Sequence, residues 1–264
     1  MANSAEPGGD QPVYDFEPAG WIELTDACHH YEGKHEVPWD IQNIFRYFSQ
    51  RYSIFSYYDE GICMTDDAWF GVTPEPIANK IAEEMKSYPK QKRILIDLFC
   101  GAGGNSIAFA LTGRWDRVIS IERDAATLSC AQNNASVYGV DDSYITWVHG
   151  DSFAFLRTLF NNPSALHPDL RVDTAATILF ASPPWGGPGY STDEVFNLDN
   201  MQPYSVQDLH QAYKPLDHVL FLPRTSDLRQ LAALAPEDKR IDIVQMCMEG
   251  ASKALVAYVP GRGL

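Results

Sequence analysis

Gly101, Gly103 and Gly104 stand between an apolar run, RILIDLF, and a helical pattern, NSIAFAL, with Asp97 just ahead of them. Glycines at a strand-to-helix turn let the backbone bend sharply and approach a ligand, while the first N–H groups of the helix face an anionic group. Glu122 closes the next apolar run, about twenty residues on, where a carboxylate can accept hydrogen bonds from two ribose hydroxyls. Asp151, in VHGDSF after a third run, can accept from an adenine amino group. The glycine spacing is GxGG and not GxGxxG, which counts against a dinucleotide. An ordinary tight strand-to-helix connection is the plainer alternative for the glycines taken alone.

A second constellation, SPPW at Ser182 to Trp185, follows the apolar run ATILFA. Prolines stiffen a turn so that a carbonyl can accept an amine hydrogen, and an aromatic ring clamps a planar base by stacking. An amine conjugated to a base ring is a poor nucleophile, so such a site must hold it in line with an electrophilic carbon at near-attack distance. Ser182 and the Pro183 carbonyl are the candidate acceptors, with Pro184 and Trp185 against the base. The indole has the strongest cation–π capacity of the aromatic side chains, which suits a positively charged base such as a 7-methylated guanine. The plainer alternative is a tryptophan that fills core space.

These residues need a frame that brings them to one edge. Beyond residue 92 the runs RILIDLF, RVISIE, YITWV, ATILFA, HVLFL, IDIVQMCM and KALVAYV alternate with helical patterns. Short runs rich in Ile, Val and Leu suit strands covered on both faces, which predicts an α/β fold with a doubly wound, mostly parallel, seven-stranded sheet. Asp124 and Gly139 bracket a helix as its N-terminal cap and its stop. The last two runs lie too close for a helix between them, which predicts an antiparallel pair at the sheet's end. Apolar residues from Ile41 through Ile44, Phe45, Phe48, Tyr52 and Phe55 make one amphipathic helical stripe, and Ile77 to Met85 predict another helix. Between these stripes, YYDEGICMTDDAWFGVTPEP reads as turns with a short strand. The expected organisation is a disordered acidic tail over 1–20, a mainly helical extension over 21–90, and the α/β core over 91–264.

The chain has 264 residues and a net charge of −15, which argues against wrapping a long nucleic acid but leaves room for an end-on contact. Residues 1–90 hold sixteen acidic against six basic side chains, and the remainder nineteen against fourteen, so a small basic site fits the later part. The five cysteines are scattered, without CxxC or zinc spacing, and read as reduced thiols; no metal is expected, and His29 and His30 beside Cys28 read as surface loop. No apolar run spans a bilayer and no signal pattern opens the chain, so no membrane partner is expected and the protein is placed inside the cell.

Asp97, the glycines, Glu122 and Asp151 at successive strand ends resemble the cofactor pattern of class I methyltransferases, Rossmann-like enzymes that use S-adenosylmethionine. A D/N/S-P-P-aromatic turn at the place of SPPW is similar to that of methyltransferases acting on exocyclic amines. More specifically, QRYSIFSYYDEGICMTDDAWFGVTPE, DLFCGAGGNSIAFALTG, NNASVYGV, GDSF, SPPWGGPGY and FLPR resemble the trimethylguanosine synthase family, over about Trp39 to Tyr258. The resemblance implies methylation of the 2-amino group of the 7-methylguanosine cap of small nuclear and nucleolar RNAs, in the nucleus or nucleolus and also the cytoplasm. It implies that Phe55 and Thr73 of the extension close over the methyl donor, joining Asp97, Gly101, Gly103, Glu122, Asp151 and Ser182. It implies that Trp185 stacks on the guanine, with Tyr190, Arg224, Lys253 and Arg46 toward the cap triphosphate. Arg46 and Lys253 read equally well as solvated surface charge.

Departures from the family pattern stand at Gly71 for Ser, Thr225 for Asn, Gly189 for Asp and Glu122 for Asp; the first three fall near the expected cap contacts. Ribonucleoprotein partners for the acidic tail belong to the same reading. A methyltransferase for an internal RNA base and a non-catalytic cap-binding module are the alternatives.

Overall fold

The computed structural model describes residues 14–38, 44–141, 143–186 and 194–263. Each of the seven apolar runs is a strand: β1 (Ile94–Asp97), β2 (Arg117–Glu122), β3 (Ile145–His149), β4 (Thr177–Ala181), β5 (His218–Pro223), β6 (Asp242–Met248) and β7 (Ala251–Val259). They form one sheet in the order β3-β2-β1-β4-β5-β7-β6. Strands β1 to β5 pair in parallel, and β7 runs antiparallel between β5 and β6. The expected antiparallel pair is therefore present, with its second strand inserted against β5. The strand order reverses between β1 and β4, and in such sheets ligands bind outside the carboxyl ends at that reversal.

Helices cover both faces because neighbouring strand residues alternate between them. On one face α4 (Glu75–Met85), α5 (Gly104–Leu111) and α6 (Ala125–Val137) bury Ile77, Ile81, Ile107 and Leu128 with Leu95 of β1. On the other, α7 (Ser152–Asn161), α8 (Val206–Tyr213) and α9 (Leu228–Ala232) bury Phe155, Leu209 and Leu231 with Ile94 and Ile96. The brackets expected for α6 hold: the Asp124 side chain accepts from Thr127 N–H at 2.7 Å, and Gly139 takes the left-handed conformation at φ 67°.

The extension is helical but in short pieces. The single helix expected through Phe55 is instead α1 (Ile44–Phe48) and α2 (Arg51–Ile54); its predicted start at Ile41 lies outside the described residues. The two pieces are separated where Gln50 leaves helical geometry at φ −107° and ψ 13°; Ile44, Phe48, Ile54 and Phe55 are buried on either side of that break while Phe45 and Tyr52 are exposed. The strand expected before α3 (Ala68–Gly71) reduces to a two-residue bridge between Met64 and His29. Ile44, Phe48 and Trp69 share one buried cluster with α4 and α5, so the extension packs into the main core.

The expected disordered tail needs correction where it is described. Asp15 N–H donates to the Ala165 carbonyl, Ala19 N–H to that of Trp147, and the Phe16 ring meets Phe155 edge-on at 5.5 Å. An aromatic side chain with a partner in the core, and backbone groups satisfied by the edge strand β3, hold this segment down. Residues 1–13 of the expected tail lie outside the described residues. Among the described residues no helix is long and apolar enough to cross a membrane.

Candidate active site

The sheet brings the predicted carboxylates to one edge. Asp97 ends β1, Glu122 ends β2 and Asp151 follows β3, whose register sets Glu122 against His149. Asp97 is fully buried; its Oδ2 accepts from Ser106 Oγ at 2.7 Å, which accepts in turn from Ser120 Oγ at 2.8 Å. Phe99 N–H donates to Asp97 Oδ1 at 3.3 Å. Burial pushes its carboxyl up to about 7 against the lowering effect of these hydrogen bonds, so a cation at this edge would be met by a carboxylate ready to ionise fully.

The glycine turn does what its residues suggested. Gly101 and Gly103 have φ of 52° and 93°, a region that costs other residues strain. A Cβ on Gly103 would stand 3.2 Å from the Ala131 carbonyl oxygen, so the turn needs the absence of a side chain to pack on α6. Glu122 braces the turn: its Oε2 accepts from Gly101 N–H and its Oε1 from Asp124 N–H, both at 3.0 Å. Burial raises its carboxyl above the ordinary range, partly offset by those N–H groups. Each oxygen keeps a lone pair for a ligand hydroxyl.

Asp151 caps α7, with Oδ1 accepting from Ala154 N–H at 2.7 Å. Its Oδ2 receives the Tyr204 hydroxyl at 3.4 Å, and the Tyr204 ring lies 4.3 Å from Phe153 and 6.2 Å from Phe99. This aromatic group was not foreseen; Tyr204 is distant in the chain and sits in no periodic pattern. Thr73 is buried and accepts from Asn105 Nδ2 at 3.0 Å. Phe55 is buried as well, tilted on Tyr138, and both approach the start of α5: a Cβ on Gly104 would lie 3.5 Å from the Thr73 carbonyl oxygen and 3.9 Å from Phe55 Cζ.

The proline turn leaves the neighbouring strand at the same edge. β4 pairs with β1 so that Phe180 opposes Asp97, and Leu98 N–H donates to the Phe180 carbonyl. Ser182 is half-buried, Pro183 buried, Pro184 exposed and Trp185 half-buried. The indole N–H donates to the Phe221 carbonyl of β5 at 3.2 Å, and the ring lies 5.5 Å from Phe221 at 32°. The ring packs against both buried clusters and keeps part of its surface toward solvent.

Past β5, Arg224 is exposed; the antiparallel register, which ends at Pro223 against Ala254, puts the half-buried Lys253 at the same edge. Thr225 Oγ1 is buried there without a partner. Arg46 is exposed on α1, and no contact ties it to that cationic pair among the described residues. Gly71 ends α3 with open space where a side chain would project. Tyr190 and Gly189 lie outside the described residues.

Among the described residues no cluster of His, Cys, Asp or Glu is arranged to hold a metal ion. His29 and His30 stack on Tyr31 and Tyr58 instead. An open groove of Lys90, Gln91, Arg93 and Asp173 lies at the amino ends of β1 and β4, opposite the glycine turn, and holds none of the predicted residues.

Residues 92–262 match the family model described as RNA cap guanine-N2 methyltransferase. The chain is 34% identical over 220 residues to the trimethylguanosine synthase of Schizosaccharomyces pombe, covering 83% of this chain and 86% of that protein. It is 36% identical over 194 residues to the trimethylguanosine synthase of Saccharomyces cerevisiae, covering 72% of this chain and 57% of that protein. A crystal structure from Porphyromonas gingivalis W83 assigned as a methyltransferase superposes with a TM-score of 0.55 at 14% identity, over 88% of this chain and 53% of that one, a likeness of fold. By the extent of the family match and by its identity to these relatives, this chain belongs to the RNA cap guanine-N2 methyltransferases.

Proposed function

We propose that the chain transfers methyl groups from S-adenosylmethionine to the exocyclic 2-amino group of a 7-methylguanosine cap, giving the 2,2,7-trimethyl form. The observation that carries this reading is the half-buried Trp185, anchored through its N–H to Phe221 just past the end of β4, the strand that neighbours β1. An aromatic ring held at that edge suits a cationic purine, which gains most from an indole face.

The donor set fits the cofactor. A buried carboxylate at Asp97 suits a cationic amino group, Glu122 keeps lone pairs for ribose hydroxyls, and Asp151 with the Phe99, Phe153 and Tyr204 rings suits an adenine. When bound, the donor supplies an activated methyl group on sulfur. The chain's own part is positioning: Trp185 and Pro184 orient the base, Ser182 and the Pro183 carbonyl accept from its amine, and no side chain acts as a strong base during transfer. The positive charge of the 7-methylated ring makes its ring N–H more acidic, and loss of that proton to solvent feeds electrons toward the 2-amino group, whose own proton leaves after transfer.

Arg224, Lys253, Arg46 and Tyr190 are assigned to the cap phosphates, and Phe55 and Thr73 to closure over the donor by the extension. Small nuclear and nucleolar RNAs are the proposed substrates, in the nucleus, with ribonucleoprotein partners at the acidic amino-terminal region. Mass spectrometry of a capped dinucleotide incubated with the donor tests the reading: one and then two added methyl groups on the 7-methylated cap support it, and no added mass overturns it.

A further inference from the structure

The Asn-Asn pair at Asn133 and Asn134 belongs to a polar row on α6 to which the amino-terminal segments are tied. Thr127 Oγ1 meets Thr65 Oγ1, Gln132 bonds both the Gly20 carbonyl and Ile22 N–H, and Asn133 donates to the Gly61 carbonyl. Asn134 differs from these three. It is fully buried, and its Oδ1 accepts from Cys63 N–H at 2.8 Å while its Nδ2 donates to the Cys63 carbonyl at 2.9 Å and to the Ala102 carbonyl at 3.0 Å. Both N–H donors of the amide are thus divided between the extension and the glycine turn.

The Ala102 carbonyl shares a peptide plane with Gly103 N–H, which donates to the Cys100 carbonyl at 2.9 Å. That plane joins Ala102 to Gly103, whose φ is positive, as is that of Gly101 one residue earlier. A peptide followed by glycine reorients at lower steric cost than one between two side-chain-bearing residues, so a plane held on both sides keeps the turn in one conformation. One of its two holds runs through a side chain that is itself held by the extension.

We propose that Asn134 is a positioning residue which transmits docking of the extension at Cys63 to the conformation of the donor-binding turn. The inference rests on the assignment of that turn to the methyl donor. Docking and donor binding then reinforce each other, because each favours the same orientation of the Ala102–Gly103 peptide.

The test compares full-length Asn134→Asp, Asn134→Ala and Gln132→Ala. Asn134→Asp keeps the shape and the acceptor for Cys63 N–H but loses the donor to both the Cys63 and the Ala102 carbonyls, and Asn134→Ala, which removes all three bonds, should weaken donor binding at least as far. Calorimetry with S-adenosylmethionine is expected to show affinity about tenfold weaker for Asn134→Asp, the loss of a buried hydrogen bond. The KM for the donor should rise in step while kcat at saturating donor stays within about twofold, as for a loss of binding alone. Gln132→Ala, which severs a tie of the same kind away from the turn, is expected to lower the thermal midpoint but hold donor affinity within about twofold. A folded Asn134→Asp protein that binds the donor as the wild type does overturns the coupling, as does a Gln132→Ala protein weakened to the same degree. A wild-type chain that binds no donor overturns the functional reading itself.

Discussion

The two halves of the sheet edge are built differently. On the β1, β2 and β3 side Asp97 is buried, Glu122 and Asp151 are half-buried, and all three are already partnered: Asp97 by Ser106, Glu122 by Gly101 and Asp124, Asp151 by Ala154. On the β4, β5 and β7 side the functional groups are half-buried or exposed, with Trp185 tied to Phe221 and Arg224 open to solvent. The contrast teaches how the work is divided. Under the proposed reading, the groups assigned to the donor are set before any ligand arrives, so that replacing Asp97 leaves the buried Ser106 without its acceptor, whereas the exposed Arg224 gains its partner from the ligand.

The largest effect is expected on the donor side. Asp97→Ala should weaken donor binding by about a hundredfold or more, since a charged hydrogen-bonding group is removed from a dry site; calorimetry reads it directly, and cap-analogue affinity measured alone should hold. The same residue gives a pH signature. Its folded carboxyl lies at about 7, above the ordinary 3.8, so the native state holds a proton that the unfolded chain releases earlier. Its contribution to stability is therefore full below the ordinary value, falls as pH rises through that window, and levels above about 7. Donor affinity should run the opposite way, increasing as pH rises toward about 7, because ionised Asp97 is the form that meets a cation. Asp97→Asn should flatten both profiles.

Next in size, Trp185→Ala should weaken binding of a 7-methylated cap analogue by about ten- to a hundredfold, the range for losing one base–aromatic stack, while donor affinity stays near wild type. An equal loss on both sides would erase the contrast between the two halves. Smallest, Arg224→Ala and Lys253→Ala should each cost about threefold in affinity for a capped oligonucleotide and shallow its salt dependence by about one phosphate contact. An unchanged salt slope in the Lys253 variant would return that residue to ordinary surface charge.

The strands were legible because each is a short Ile, Val and Leu run buried on both faces, and α6 because Asp124 and Gly139 mark its ends. The placement of Asp97, Glu122 and Asp151 at one edge was legible because each falls at a strand end or just past it. What escaped is held by contacts between distant segments. The break between α1 and α2 at Gln50 interrupts an apolar stripe whose spacing carries no mark of it, and the docking of Phe16 on Phe155 needs a partner about 140 residues away, beyond any local periodicity. Ser106, Ser120 and Asn134 act through side-chain hydrogen bonds to other segments, which leave no repeating pattern in a chain. Asn134 stood within the motif NNASVYGV, as Ser106 did within DLFCGAGGNSIAFALTG, and its meaning emerged once Cys63 and Ala102 were seen on either side of it.

The central claim is geometric, and a structure of the complex with a 7-methylated cap analogue and S-adenosylhomocysteine tests it most directly. The account predicts the purine stacked on the Trp185 ring, with its 2-amino group facing the sulfur at the edge between β1 and β4. A purine lodged elsewhere, with the indole packed inward against Phe221 and away from the ligand, would contradict it.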